Sequence, residues 1–412
     1  MRVLHIGKFF PPYAGGIERS SADLTAALVE RGVAVTMLAH ASPVDGAAKH
    51  FQAAGVDVTL AACHGQWLYA PVSPSFVFVL NRLIREFKPD LLHLHVPNTS
   101  AFWALLSPAA RRLPWIVHWH ADVPHDIRRS AVRAMYRLYR PWEQALLRRA
   151  NAVIATSPPY RDASSALAPW RDKIEVIPLG LAAQAHAVDD SVDSAPARSN
   201  YAHPEKVDAA ANVASSTNTQ WPGNGLRVLA VGRLSHYKGF DVLLRALAQV
   251  TGASLVLIGS GECDNDLRTL AHELGLQTRV RFAGHVDDAT LAQAYAQAQA
   301  FCLPSVERSE AFGMVLLEAM RARLAVIASA IPGSGVGYVV VDDVSGLLVA
   351  PGDAAALAQA LRRLAGDSGL RTQLGAAGHA RWQSEFSLDR CADRTLALYR
   401  SVLEAAERRA AT

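Results

Sequence analysis

The residues best suited to chemistry lie in PSVERSEAFGMVLLEAM, where Glu310 and Glu318 have seven residues between them and Phe312-Gly313 sits at the turn before an apolar run. A helix beginning near Gly313 leaves Glu310 in the preceding loop and projects Glu318 from its second turn. Carboxylates accept hydrogen bonds from sugar hydroxyls, so this pair suits gripping a hexose and a ribose of one ligand. Two merely solvated glutamates fit less well, because Glu318 is embedded in VLLEAM, where burial without a partner is costly. Upstream, VGRLSHYKGFDVLLRAL places Arg233 and Lys238 in a loop that leaves a strand and enters a helix. Two cations there can clamp a diphosphate, with Gly232 and Gly239 letting the backbone approach, although a random Arg and Lys pair is more often an ordinary solvated loop. Gly15 and Gly16 follow the first strand and lead into a helix from about Ile17. Their amides suit a phosphate at a positive helix end, and plain turn chemistry after Pro-Pro-Tyr explains them as well.

The histidines offer a rival chemistry. His93 and His95, and His118 and His120, are each two apart on a strand and so share a face. Together they suggest a metal site and a metal-dependent hydrolase, but no acidic ligand set accompanies them. The Asp264 to Asp266 pair opens a helix, and capping explains it better than metal binding. From Arg128 to Arg149 run seven arginines and one acid, Glu143, interleaved with Tyr136, Leu138, Tyr139 and Trp142. That pattern fits either a helix lying on anionic lipid headgroups or a surface helix with an ordinary apolar stripe.

The elements that must hold these residues read as βαβ units. Short apolar runs at VLHI, VAVTML, LLHLH, WIVHW, AVIATS and IEVIPL alternate with helical periodicity, and RVLAVGRL, SLVLIGSG, VRFAGHV, AFCLPS, AVIASA and GLLVAP form a second series. Between them, 182–225 contains no Leu, Ile, Phe or Met and reads as a disordered Ala/Ser/Asp-rich insert. The 412 residues, half hydrophobic and 19% charged, therefore fit two α/β domains, and two sheets of one kind joined in the middle imply a cleft. A net charge of +4 gives no reason to expect nucleic acid as a partner. The four scattered cysteines and the absence of any long apolar run point to a cytoplasmic protein that rests, at most, peripherally on the inner face of the membrane.

The Gly15-Gly16 turn, GRLSHYKG, EAFGMVLLEAM and VSGLLVAPGD, in that order, resemble the retaining GT-B enzymes of glycosyltransferase family 4, the group 1 glycosyltransferases. The likeness covers nearly the whole chain outside the insert and is closest in wording to mannosyltransferase-like members of surface-polysaccharide assembly. It implies a GT-B fold: an acceptor-side Rossmann-like domain over 1–181, a nucleotide-sugar-binding one over 226–385, facing across a cleft, and a C-terminal helix over 386–412 packing back on the first. It also implies that Arg233 and Lys238 bind the diphosphate, Glu318 the ribose, and Glu310 with the Phe312-Gly313 backbone the sugar and phosphate. His120, in HWHAD, matches the histidine that touches the donor sugar. Expected partners are a nucleotide diphosphate sugar, GDP-linked in the first instance and UDP-linked in the alternative, and a glycan or polyprenyl-linked saccharide acceptor. No metal or other cofactor is expected. A protein that keeps the fold and binds glycan or nucleotide without turnover is the alternative of another class.

Overall fold

The computed structural model describes all residues except 14, 45, 68–69, 124–129, 184–220, 224 and 412. The expected insert therefore lies outside the described residues over 184–220 and 224. The chain divides into two compact units, Met1–Ser199 with Phe386–Thr412, and Asn200–Glu385.

The first unit carries β1 (Arg2–Ile6), β2 (Ala34–His40), β3 (Lys49–Ala53), β4 (Val56–Ala61), a separate hairpin of β5 (Gln66–Trp67) and β6 (Ala70–Pro71), then β7 (Leu91–Val96), β8 (Trp115–Trp119), β9 (Ala152–Ala155) and β10 (Ile174–Val176). Eight of them form one sheet in the order β10-β9-β8-β7-β1-β2-β4-β3. All neighbours are parallel except the antiparallel edge pair β3 and β4. Val3, Leu4, His5 and Ile6 of β1 are all fully buried, which is what a central parallel strand covered on both faces demands.

The second unit holds β11 (Leu226–Val231), β12 (Ala253–Ile258), β13 (Val280–Gly284), β14 (Ala300–Leu303), β15 (Ala325–Ser329) and β16 (Leu347–Val349), in the order β13-β12-β11-β14-β15-β16 and parallel throughout. In each sheet the order reverses at one place, between β1 and β7 and between β11 and β14. Chain connections leave in opposite directions there, so the loops part at the carboxyl ends and leave room for a ligand.

The C-terminal helix Leu388–Ala411 belongs to the first unit. Leu388, Cys391, Ala392, Leu396, Tyr399 and Val402 recur at helical spacing and enter the same core as Val3, Val35 and Ile116. A Cβ at Gly180 would lie 2.7 Å from Leu388 Cα, so only glycine admits this approach. At the surface, Arg31 donates to Asp389 and Asp393, both at 2.7 Å. One expectation changes in detail. The helix Asp264–Glu273 is preceded by Cys263 with no side-chain cap, so Asp264 and Asp266 sit within its first turn, favoured by the helix dipole, and Asp264 pairs with Arg268. Among the described residues no helix is long and apolar enough to cross a membrane.

Candidate active site

In the second unit the loops after β11 and β14 are fastened together by glycine. Gly239 has φ 64° and would place a Cβ 2.2 Å from the Pro304 carbonyl oxygen, so the turn His236–Lys238 can close onto the β14 loop only without a side chain there. The Val306 amide donates to the Tyr237 carbonyl at 2.8 Å, completing the seam. This seam brings Lys238 against Glu310: Nζ lies 2.6 Å from Oε2, and Ser305 Oγ donates to the same oxygen at 2.9 Å. Both residues are buried, at 7% and 8% exposure. Burial alone would lower the Lys238 pKa, but the Glu310 carboxylate outweighs it and the ammonium is held above its ordinary value.

Arg233 is exposed on the same loop, and the Tyr237 ring centre lies 6.0 Å from its guanidinium and 5.5 Å from the Lys238 ammonium. Two cations therefore flank one aromatic ring at the end of β11. Phe312 is buried, and Gly313, at φ 85°, caps the helix Met314–Arg321 with no side-chain cap bond, leaving that helix end to backbone amides. Glu318 lies in the second turn and accepts a hydrogen bond from Tyr295 Oη at 2.7 Å. The structure thus joins Lys238 to Glu310 directly and gives Glu318 a separate partner. Tyr295 and Ser305 were not singled out in the sequence, where neither belongs to a recognisable spacing.

In the first unit Gly15 caps the helix Gly16–Glu30. Its φ of 174° is extended backbone that any residue adopts, but a Cβ there would meet the Glu18 carboxylate at 2.0 Å. The first turn thus already carries an acid, and burial raises the pKa of Glu18.

His120 follows β8 and its amide donates to Val96 at 3.0 Å. It is one of a buried group. His5 pairs with His93 across β1 and β7, and His95 with His118 across β7 and β8. Sequence reading found the two HxH pairs but not His5, whose place beside them depends on strand order. It also missed Tyr399, which the C-terminal helix brings in from the other end of the chain. Two triplets, His5 with His93 and His95, and His95 with His118 and His120, have the proximity to hold a metal ion. Their ring nitrogens are hydrogen-bonded to one another or to Tyr399, except His118 Nε2 and His120 Nδ1. A third ligand would have to leave an existing hydrogen bond, so the donor set fits an ion poorly.

The basic helix Ser130–Arg149 exposes Arg137, Leu138, Arg140, Trp142 and Arg148. Arg128 and Arg129 lie outside the described residues. Arg149 is committed to the protein: it donates to the Arg111 and Leu113 carbonyls and stacks over Trp115 at 4.8 Å. Glu143, the lone acid, is turned inward beside Tyr136, and burial pushes its pKa up to about 7.

Residues 15–180 match the glycosyl transferase 4-like domain, and residues 214–381 match glycosyl transferases group 1. Over 403 residues, covering 94% of this chain and 92% of the relative, the sequence is 30% identical to D-rhamnosyltransferase WbpZ of Pseudomonas aeruginosa. The chain belongs to the group 1 glycosyltransferases. The glycosyltransferase is also 27% identical, over 98% of its own length and 99% of the relative's, to O-antigen chain mannosyltransferase C of Escherichia coli. A phosphatidyl-myo-inositol mannosyltransferase of Mycobacterium leprae is 30% identical over 92% and 91% of the two chains. Among solved structures, sucrose-phosphate synthase of Thermosynechococcus elongatus superposes with a TM-score of 0.73 at 23% identity, covering 98% of this chain and 100% of that one. Anabaena HepE in complex with UDP superposes at 0.69 and 19% identity, covering 97% and 100%. The fold of the glycosyltransferase is GT-B, and its reaction is sugar transfer.

Proposed function

We propose that the enzyme moves a hexose, mannose in the favoured case, from a GDP-linked donor to a glycan or polyprenyl-linked saccharide in cell-surface polysaccharide synthesis, with retention of configuration and without a metal ion. The observation that carries the mechanism is the buried, charged Lys238 ammonium beside Glu310, on one loop with Arg233. As the donor's glycosidic bond breaks, charge grows on the diphosphate. Arg233, Lys238 and the amides at the Gly313 helix end are the groups available to stabilise it. In this reading Glu318 takes the ribose, Glu310 and the Phe312-Gly313 backbone hold the sugar and phosphate, and Gly15-Gly16 approach the donor. His120 orients the sugar. A leaving-diphosphate oxygen takes the acceptor proton on the face of departure, so no enzyme nucleophile is required.

Relatives named as mannosyltransferases support the mannose reading. A UDP-linked donor is the second reading, favoured by the UDP and UDP-glucose complexes of HepE, a fold neighbour. A panel of GDP- and UDP-sugars separates the two: turnover with GDP-mannose alone supports the first, and turnover confined to UDP-sugars rejects it. The exposed Arg137, Leu138, Arg140 and Trp142 further support docking on an anionic membrane surface, close to a lipid-linked acceptor.

A further inference from the structure

Six buried side chains of the first unit form one unbranched hydrogen-bonded chain. His118 Nδ1 meets His93 Nε2 at 3.2 Å, and His93 Nδ1 meets Tyr399 Oη at 2.5 Å. Tyr399 Oη meets His5 Nε2 at 3.2 Å, His5 Nδ1 meets His95 Nε2 at 3.0 Å, and His95 Nδ1 meets His120 Nε2 at 2.9 Å. Only the two terminal nitrogens, His118 Nε2 and His120 Nδ1, have no partner, and both are closed off from solvent. Each imidazole-to-imidazole link joins an Nδ1 to an Nε2.

The connectivity constrains the protons. Burial, reinforced in most of the rings by the neighbouring imidazoles, holds all five histidines below their ordinary pKa, so each ring is neutral with one N–H and one bare nitrogen. Burial likewise keeps the Tyr399 phenol protonated. Each link needs one proton, and a ring that donates on one side must accept on the other. If any ring carries its proton on Nε2, the next link obliges its neighbour to do the same, and the phenol passes the constraint across by donating to one ring and accepting from the other, which keeps its own O–H paired. Reversing the chain requires one proton to enter at one terminal nitrogen and one to leave at the other, and neither end is open.

We infer that this chain is a positioning device: Tyr399 and the other four histidines lock all five imidazoles into a single common tautomer and so fix whether His120 Nδ1, at the buried end of the chain, carries a proton or a lone pair. The consequence for the sugar rests on the reading of His120 given above. The tautomer pattern itself does not.

The test is long-range 15N–1H correlation on the full-length protein labelled with 15N-histidine, without donor or acceptor. The five rings of the chain are expected among those that fail to titrate between pH 8 and pH 6. His40, held to about 4 mainly by burial, is among them and serves as a reference. Its Nδ1 lies 2.5 Å from the Lys8 carbonyl oxygen, so its proton must be on Nδ1. The expected spectrum shows His5, His93, His95, His118 and His120 in one tautomer.

Tyr399→Phe removes the link while keeping the ring. A bare nitrogen against an apolar ring costs less than an orphaned N–H, so each half turns its bare nitrogen toward the phenyl group. His5, His95 and His120 then become Nδ1–H, while His93 and His118 become Nε2–H. Mixed tautomers in the native protein, or an unchanged uniform set in Tyr399→Phe, overturn the inference. A uniform set that splits as described, but with sugar transfer indifferent to His120→Ala, upholds the lock and removes His120 from the sugar site.

Discussion

Lys238 and Glu310 are each other's counter-ion in a buried setting, so neither can be removed without exposing the other. Lys238→Ala leaves a buried carboxylate unpaired, which should cost about 3–5 kcal/mol of stability, and on the proposed mechanism should also lower turnover roughly a hundredfold by removing a cation from the leaving group. Adding Glu310→Gln should restore most of the melting temperature while turnover stays low. If turnover returns with stability, Lys238 is structural. Arg233 is exposed, so Arg233→Ala should lower kcat by roughly a hundredfold with the melting temperature unchanged; a KM effect alone would contradict a role in the transition state.

The histidines predict a pH dependence. His5, His40, His93, His95, His118 and His120 are all held below the ordinary 6.5, His40 at about 4 and His95 at about 3. Above pH 6.5 both folded and unfolded rings are neutral and stability is full. Below it the unfolded chain takes up protons that the native rings refuse, so stability falls by up to about 1.4 kcal/mol per pH unit for each ring. Glu143, raised to about 7, and Glu18, also raised by burial, work the other way, two groups against six. Melting temperature should therefore drop steeply between pH 6.5 and 5; a flat profile would mean that the rings charge without cost. Spacing made the HxH pairs legible because a period of two shares a face. His5 and Tyr399 were not legible, since sequence does not tell which strand lies beside β7 or which helix returns to cover it.

At the scale of elements, the seam between the β11 and β14 loops depends on Gly239. Alanine there combines a left-handed φ with a backbone clash at Pro304, whereas Gly252 shares the positive φ but has open space around a Cβ. Gly252→Ala should cost about 1 kcal/mol, and Gly239→Ala distinctly more, together with loss of turnover. Equal melting temperatures would show that the seam relaxes freely. The helix Ser130–Arg149 carries its own prediction. With Arg149 tied to carbonyls, the lipid-docking surface we propose consists of Arg137 and Arg140 beside exposed Leu138 and Trp142. Sedimentation with anionic vesicles should be lost at high salt and in the Arg137→Gln, Arg140→Gln, Trp142→Ala variant. Equal binding to neutral vesicles would reject the electrostatic reading. Apart from β3 and β4, the strands of the two large sheets were legible because each is a short, largely apolar run. The β3 and β4 pair was missed: Ala54 and Gly55, at φ 48° and 76°, make a two-residue turn, but Ala-Gly is a weak turn signal.

At the scale of the whole chain, two α/β units were legible because the apolar rhythm stops at Leu181 and resumes at Leu226. The return of Leu388–Ala411 to the first unit was expected only from family resemblance, since an amphipathic helix does not name the core it covers. In the proposed mechanism Arg233 and Lys238 take the role that a divalent ion plays in a metal-dependent enzyme, neutralising the diphosphate. The most direct measurement is release of GDP from GDP-mannose on a saccharide acceptor in excess EDTA, native enzyme against Arg233→Ala. Full native turnover in chelator, with the variant reduced roughly a hundredfold, is the predicted result. Loss of native turnover in EDTA with recovery on adding zinc or manganese would contradict it.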